Sequence, residues 1–214
     1  MSTNHPISDT VESFKYRIIK RIIDVIGALF GLIFLSPLLL LVAIAIKVSS
    51  PGPILYQWNV IGLGGKSMVS WKFRSMVENA DELKDRLQGQ NEMSGPVFKM
   101  KDDPRITMVG RFIRKYSIDE LPQLFSVIKG DLSLVGPRPP GPHEWIHYLP
   151  WQRRKVSIRP GITCIWQIRG RNEVSDFEEW VKMDLEYIDN WSLWLDLKIL
   201  FKTILVVITA KGAY

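Results

Sequence analysis

The 214-residue chain contains a single cysteine, Cys164. One cysteine cannot close an intrachain disulfide, which excludes a disulfide-stapled secreted scaffold, and it cannot supply the thiolates of a multi-cysteine zinc module. The sequence has no internal repeat, no low-complexity tract and no heptad run long enough for a coiled coil. Its one glycine cluster, Gly62-Leu63-Gly64-Gly65-Lys66, lacks the spacing of a P-loop; it reads as a tight turn, or as backbone N–H groups turned to a phosphate. Nor is the chain a disordered polymer, because 46% of it is hydrophobic and 23% charged. What is present in excess is positive charge, 28 Lys and Arg against 22 Asp and Glu, a formal net charge of +6. That balance suits an anionic partner: nucleic acid, a phosphorylated metabolite or an acidic membrane surface. Eight tryptophans point to a boundary that is half apolar and half wet.

Val25 to Ile46 are 22 consecutive uncharged residues. As a helix they reach about 33 Å, enough to cross a hydrocarbon core of roughly 30 Å. A buried helix of a soluble domain fits less well, since a domain of this size cannot wrap so long an apolar rod. A cleavable signal peptide fits less well still, because the run is too long and no small-residue cleavage pattern follows. Ser36-Pro37 stands mid-run, where proline removes a donor and crowds the preceding turn, so a bend is expected. The helix either kinks and crosses, or turns back and leaves on the side it entered. Lys15, Arg17, Lys20 and Arg21 before the run and Lys47 after it favour both ends on one side. Three regions follow: a loose N-terminus over 1–12, a basic flank and membrane helix over 13–48, and a polar remainder over 49–214.

In the remainder, Ile54 to Tyr56 and Met68 to Phe73 read as strands of a hairpin across the glycine cluster. Short helices are expected over Asn79–Leu87 and Ile106–Arg114. Ile118–Ile128 places apolar residues at 118, 121, 124, 125 and 128 on one helical face, with Asp119 and Glu120 in the first turn. Trp145–Val156 and Phe177–Ile188 are further helix candidates, the latter opened by Ser175 with Glu178 three residues on. Trp191–Ala210 reads as a helix lying along a membrane face or packed in the core. The fold class is therefore α+β: a mostly helical, membrane-associated protein with one small β-hairpin and amphipathic interfacial helices.

Arginines recur in stiff turns: Arg74, Pro104-Arg105, Pro137-Arg138-Pro139, Arg159-Pro160-Gly161, Arg169 and Gly170-Arg171. A guanidinium on a rigid turn is a preset fork for phosphate oxygens. Acidic residues opening a helix, such as Asp119-Glu120, can simply favour its dipole, at about 0.3–1 kcal/mol each. Beside a phosphate site the same pair suits Mg²⁺, a hard ion that takes carboxylate and phosphate oxygens. An aspartate can also attack phosphorus directly. Residue chemistry alone thus stops at a membrane-associated protein that binds phosphorylated ligands.

The ordered strings Lys72-Phe73-Arg74-Ser75-Met76, Asp103-Pro104-Arg105-Ile106-Thr107, Asp119-Glu120-Leu121-Pro122-Gln123-Leu124 and Lys129 to Pro139 resemble the monotopic phosphoglycosyl transferases, also called bacterial sugar transferases. Pro160 to Thr163, Trp166-Gln167 and Trp191 to Lys198 continue the likeness, which runs from about Lys20 to the C-terminus. The resemblance implies a re-entrant helix-break-helix with its break at Ser36-Pro37. It implies a catalytic unit on the cytoplasmic face of the bacterial inner membrane, starting O-antigen, capsule or exopolysaccharide assembly ahead of downstream glycosyltransferases. By that likeness Asp119 attacks the β-phosphate of a UDP-sugar and UMP leaves. Undecaprenyl phosphate then takes the sugar 1-phosphate from the aspartate. Glu120 would help hold Mg²⁺, together with Asp119, and assist proton handling. Arg138 and Arg105, followed by Lys72 and Arg74, are the expected phosphate contacts, with Arg171 toward nucleotide or sugar. Asp103 and Asp131 are expected to organise turns or the metal's surroundings, and Pro137 and Pro139 to stiffen the arginine turn.

Three positions depart from the family pattern. The common Gln-x-Arg-x-Gly before the hairpin turn reads Trp58-Asn59-Val60-Ile61-Gly62 here; Cys164 follows Thr163 where glycine is usual; and Arg169 replaces a small or hydroxyl residue. The competing readings are a catalytically idle scaffold of the same family and a peripheral module for anionic lipid or nucleic acid, nucleic acid itself being disfavoured by the membrane segment. A homodimer is compatible with the exposed aromatics. The residues do not distinguish UDP-galactose from UDP-glucose or a modified UDP-hexose.

Overall fold

The computed structural model describes residues 14–170, 174–210 and 212. The apolar run lies in helix α1 (Phe14–Ser49), 36 residues long. Its inward positions, Asp24, Ala28, Val42 and Ile46, fall at helical spacing, so one stripe faces the rest of the protein along nearly the whole length. The opposite face leaves Ile22, Ile26, Phe30, Ile33, Phe34, Leu40, Leu41 and Ile44 exposed. Among the described residues this is the one helix long and apolar enough to cross a membrane.

The expected break at Ser36-Pro37 is a proline carried inside a continuous helix rather than a gap between two helices. Pro37 has no N–H to give the carbonyl of Ile33, four residues back. The Ser36 hydroxyl donates to that carbonyl instead, at 2.8 Å. The serine therefore supplies the donor that its neighbour lacks. Both flanks of the apolar run meet the same body. At the N-terminal flank, Lys20 Nζ donates to the Val135 carbonyl (3.1 Å) and pairs with Asp196 (2.6 Å). Arg21 donates to the carbonyls of Val127 and Ile128, and Asp24 accepts from the Ser133 hydroxyl and the Leu134 N–H, both at 3.0 Å. At the other flank, Arg74 donates to the carbonyls of Ser50 and Pro51.

Strands β1 (Leu55–Ile61) and β2 (Ser67–Phe73) form the hairpin, antiparallel from Leu55 opposite Phe73 to Ile61 opposite Ser67. Then come α2 (Ala80–Leu87) and α3 (Met108–Lys115), the latter capped by Thr107 Oγ1, which accepts the Gly110 N–H at 2.9 Å. The expected helix over Ile118–Ile128 divides into a 3-10 helix, Ile118–Gln123, and α4 (Leu124–Lys129). Ile118 and Leu121 pack against Val42, Ile46 and Phe73, and Leu124 and Ile128 against Ala28, as that face requires, but Phe125 is exposed and Val127 is buried in its place, because the change from 3-10 to α pitch rotates the face.

The expected helix over Trp145–Val156 does not form. A single turn, α5 (Pro142–Trp145), is followed by a 3-10 helix over Gln152–Val156. Pro150 lies between them and cannot continue an N–H ladder. A short parallel pair, β3 (Ser133–Val135) and β4 (Gly161–Thr163), joins distant parts of the chain. A Cβ on Gly161 would overlap the backbone of Gly136, so this crossing requires glycine. Helices α6 (Ile165–Arg169), α7 (Phe177–Asp189) and α8 (Leu193–Thr209) complete the fold. The cap of α7 is Asp176, one residue after the expected Ser175; its carboxylate accepts the Glu178 N–H at 2.9 Å.

Two buried polar clusters tie these elements together. Asp196 receives Lys20 (2.6 Å), the Tyr187 hydroxyl (2.6 Å) and the Trp191 indole N–H (3.2 Å), joining α1, α7 and α8. Burial still holds its carboxyl above the usual range, with Lys20 pulling the other way. Lys155 and Asp184 pair at 2.7 Å with almost no exposure. Burial works against the ammonium, but Asp184 outweighs it and holds the lysine above its ordinary value.

Removing one partner of a buried, hydrogen-bonded charge leaves the other uncompensated. Asp196→Ala is therefore expected to cost about 3–5 kcal/mol of stability, measured by denaturant unfolding in detergent. Ser36→Ala should cost about 1–3 kcal/mol by orphaning the Ile33 carbonyl. Ser36→Ala/Pro37→Ala, which restores an N–H, should recover most of that loss in thermal unfolding of lipid-nanodisc samples.

Candidate active site

A cleft of about 190 Å³ opens where the hairpin, the 3-10 helix after α3, the turn after β3 and the start of α6 converge. Its charged lining is Lys72, Arg114, Asp119, Glu120 and Arg138, with Trp58, Ser117, Gln123, Trp166 and Gln167 around them. Three cations face two carboxylates, so the lining is formally positive by one charge.

Asp119 and Glu120 owe their direction to the 3-10 helix. Ile118 and Leu121 pack into the core, which leaves the two carboxylates between them half-buried on the cleft side. Ser117, the residue that turns the chain into this helix, sits in the left-handed region at φ 51°. For a residue with a Cβ that conformation is strained, and it stands two positions before Asp119. Lys72 comes from β2. Its ammonium pairs with Glu120 Oε1 at 2.6 Å and lies 3.9 Å from the centre of the Trp58 ring. Trp58 pairs with Ser70 across the hairpin, and Lys72 is two residues further along the same face. The second oxygen of Glu120 accepts from Gln167 Nε2 at 3.4 Å, while Gln167 Oε1 accepts the Cys164 N–H at 3.0 Å.

Arg138 sits between Pro137 and Pro139. Its guanidinium lies 4.8 Å from the Trp180 ring and 5.7 Å from that of Trp58, with Glu144 at 3.5 Å. Burial opposes its charge, but Glu144, Tyr148 and Glu120 prevail and the group stays a cation. The buried Lys155–Asp184 pair lies under this turn, and both Lys155 and Arg138 face Trp180. Cys164 is buried against the same region. Burial, then Asp184, pushes its thiol up to about 12, so it stays a protonated, unreactive thiol.

Of the residues singled out in the sequence, Lys72, Asp119, Glu120, Arg138 and Pro139 meet in this cleft, with Pro137 buried behind them. Arg105 and Arg74 do not. Arg105 forms a two-point pair with Asp103 (2.9 and 2.6 Å) and donates to the Ala80 carbonyl. Arg74 is bound to the backbone at the end of α1. Their guanidinium groups donate to protein oxygens, and neither lines the cleft where the other expected phosphate contacts meet. Asp103 holds its own turn together, and Asp131 pairs with Lys129 at 3.0 Å outside the cleft. Arg171 falls outside the described residues. Sequence reading passed over Arg114, Gln123 and Ser117 as site residues. Arg114 was detectable only as the cation ending the helix before Asp119; Trp58 and Gln167 stood in strings already noted, without a role.

Among the described residues no group of three or more Asp, Glu, His or Cys side chains could hold a metal. Mg²⁺ is commonly held by one or two carboxylates together with substrate phosphates. Two adjacent carboxylates beside three cations fit that partial donor set.

Comparison with known proteins agrees with the geometry. The family model described as bacterial sugar transferase matches residues 15–210. The chain is 44% identical over 209 residues to the galactosyl transferase CpsE of Streptococcus agalactiae, covering 97% of this chain and 46% of that protein. It is 44% identical over 203 residues to the undecaprenyl-phosphate galactose phosphotransferase of Salmonella typhimurium, covering 92% and 42%. The chain thus spans about half the length of these curated relatives. The exopolysaccharide production protein ExoY of Sinorhizobium fredii is nearer in size: identity is 43% over 199 residues, covering 91% of this chain and 88% of that one. With nearly its whole length matched and the paired carboxylates set among cations, the chain belongs to the bacterial sugar transferase family.

Proposed function

We propose that this protein transfers a sugar 1-phosphate from a UDP-sugar to undecaprenyl phosphate at a bacterial inner membrane, through a phosphosugar carried on Asp119. The observation that carries the reading is the meeting of Asp119 and Glu120 with Lys72, Arg114 and Arg138 in one cleft. An aspartate approaching a diphosphate is repelled by its charge, and three cations offset that repulsion. The Asp119 carboxylate oxygen forms a bond to the β-phosphorus as the bond to the bridging oxygen breaks, and UMP leaves with that oxygen. A phosphate oxygen of the acceptor then attacks the same phosphorus. The bond to Asp119 breaks, and the carboxylate is regenerated. Each step exchanges one activated phosphate linkage for another, so no external energy source is needed.

Lys72 and Glu120 work as a unit. The pair fixes the ammonium beside Trp58, and Gln167 keeps the glutamate from rotating away. Asp119 and Glu120 would hold Mg²⁺, which supplies further charge neutralisation on the diphosphate when bound. The exposed apolar face of α1 and the cations Lys15 and Arg17 at its start suit a protein lying in one leaflet against anionic headgroups on the cytoplasmic side. The Salmonella and Streptococcus relatives are both galactose transferases by name, which supports a UDP-hexose donor.

Purified protein with Mg²⁺, offered a panel of UDP-hexoses, should release UMP and gain the mass of a hexose phosphate. Turnover should continue only when undecaprenyl phosphate is added. Asp119→Asn should abolish the adduct and lower UMP release by at least about 10³-fold; equal release by both proteins would refute the covalent route. Lys72→Met should reduce kcat/KM for the donor by about 10–100-fold, roughly 1.4–2.7 kcal/mol of transition-state stabilisation. EDTA should suppress UMP release, and Mg²⁺ should restore it.

A further inference from the structure

A second cleft adjoins the first and differs from it in chemistry. Its lining includes Tyr116, Leu121, Leu124, Val206 and Val207, and it shares Ser117, Glu120, Ile162 and Gln167 with the polar cleft. The apolar groove therefore begins where the charged site ends. Its outer wall is α8. That helix turns Asp196 and Ile199 into the protein and continues the same stripe through Thr203, Val206 and Val207. The wall is fixed by a hydrogen bond of 2.6 Å between Thr203 and Thr163 of β4. Opposite, Leu124 is backed by α1, where a Cβ on Gly31 would come within 3.1 Å of it. The far side of α8 exposes Phe201, Ile204, Leu205 and Ile208, and Phe125 beside the groove is also exposed. The groove thus runs from paired carboxylates to a surface made for hydrocarbon.

We infer that this groove, between the Ser117–Leu124 segment and α8, seats the first isoprenoid units of the acceptor lipid phosphate and so aims its phosphate at Asp119. The inference rests on the proposed reaction and adds to it the place of the second substrate. The argument is continuity. A lipid phosphate has an anionic head one bond from a branched hydrocarbon, and the two clefts present cations and then Leu and Val side chains across a shared boundary at Glu120 and Gln167. A nucleotide-sugar has no apolar part to fill the second cleft; the acceptor phosphate takes the apical position opposite Asp119 that UMP vacates, and only its hydrocarbon follows the groove.

The two half-reactions separate the groove from the chemistry. Val206→Trp, which fills the groove, is expected to leave the single-turnover burst of UMP from the UDP-sugar within twofold of wild type. The same variant should raise KM for undecaprenyl phosphate at least tenfold. Ile208→Trp places the same indole on the outer face and should change neither. An unchanged acceptor KM in Val206→Trp, or a parallel loss of both half-reactions in a protein of unaltered melting temperature, overturns the groove. Absence of any UMP burst in wild type would instead overturn the reaction itself. A second measurement needs no variant: undecaprenyl phosphate bearing a diazirine on its first isoprene should crosslink wild type at Leu121, Leu124, Val206 or Val207. Crosslinks found only on the outer faces of α1 and α8 would place the lipid elsewhere and overturn the inference.

Discussion

The charges at the start of α1 determine where everything else can lie. Lys20, Arg21 and Asp24 precede or open an apolar run, and each is consumed by the rest of the protein rather than by water. Lys20 meets Asp196, Arg21 closes the carbonyls at the end of α4, and Asp24 takes the donors of β3. Arg74 fastens the other flank. A helix that merely crossed a bilayer would leave one flank far from the body that carries the cleft. Here both flanks are bonded to it, so the apolar face of α1 is held in a fixed register with the elements that build the cleft. Uncompensated burial of any of these charges would be expensive, which is why the arrangement is specific as well as stable.

The same economy of polar groups shapes the site. Glu120 is held from two sides by Lys72 and Gln167, and Gln167 is in turn held by the Cys164 N–H. Arg138 stands on a proline-flanked turn above a buried lysine–aspartate pair and against two indole rings. Fixed dipoles and charges of this kind need little rearrangement when charge shifts beside them, which is the physical basis of electrostatic stabilisation. The strained Ser117 fits the same pattern: a backbone conformation held out of its favoured region two residues before Asp119.

The arginines that line the cleft and those bound to the protein's own oxygens look alike in the sequence. Arg138, Arg105 and Arg74 all stand in or beside stiff strings with phosphate-binding character. Arg105 has an aspartate two residues before it, and that spacing alone hints at a local pair. Arg74 gives no such hint, because its acceptors are backbone carbonyls more than twenty residues away. The helix expected over Trp145–Val156 fails for a local reason that was visible, Pro150. The β3–β4 pair was not legible, since three-residue strands carry no period and their pairing joins distant segments.

What the sequence determined by itself was the local and the compositional: the long apolar helix, the hairpin on its alternating residues, the two C-terminal helices, and Asp119-Glu120 presented together at the head of a helical turn. Each follows from side-chain periodicity or from the stereochemistry of a few adjacent residues. Only the tertiary structure decided which cations face those carboxylates, that Ser36 replaces the donor missing from Pro37 within one unbroken helix, and that an apolar groove adjoins the charged cleft. Those outcomes depend on which distant groups remain to satisfy one another after the core has closed, and no local pattern encodes that choice.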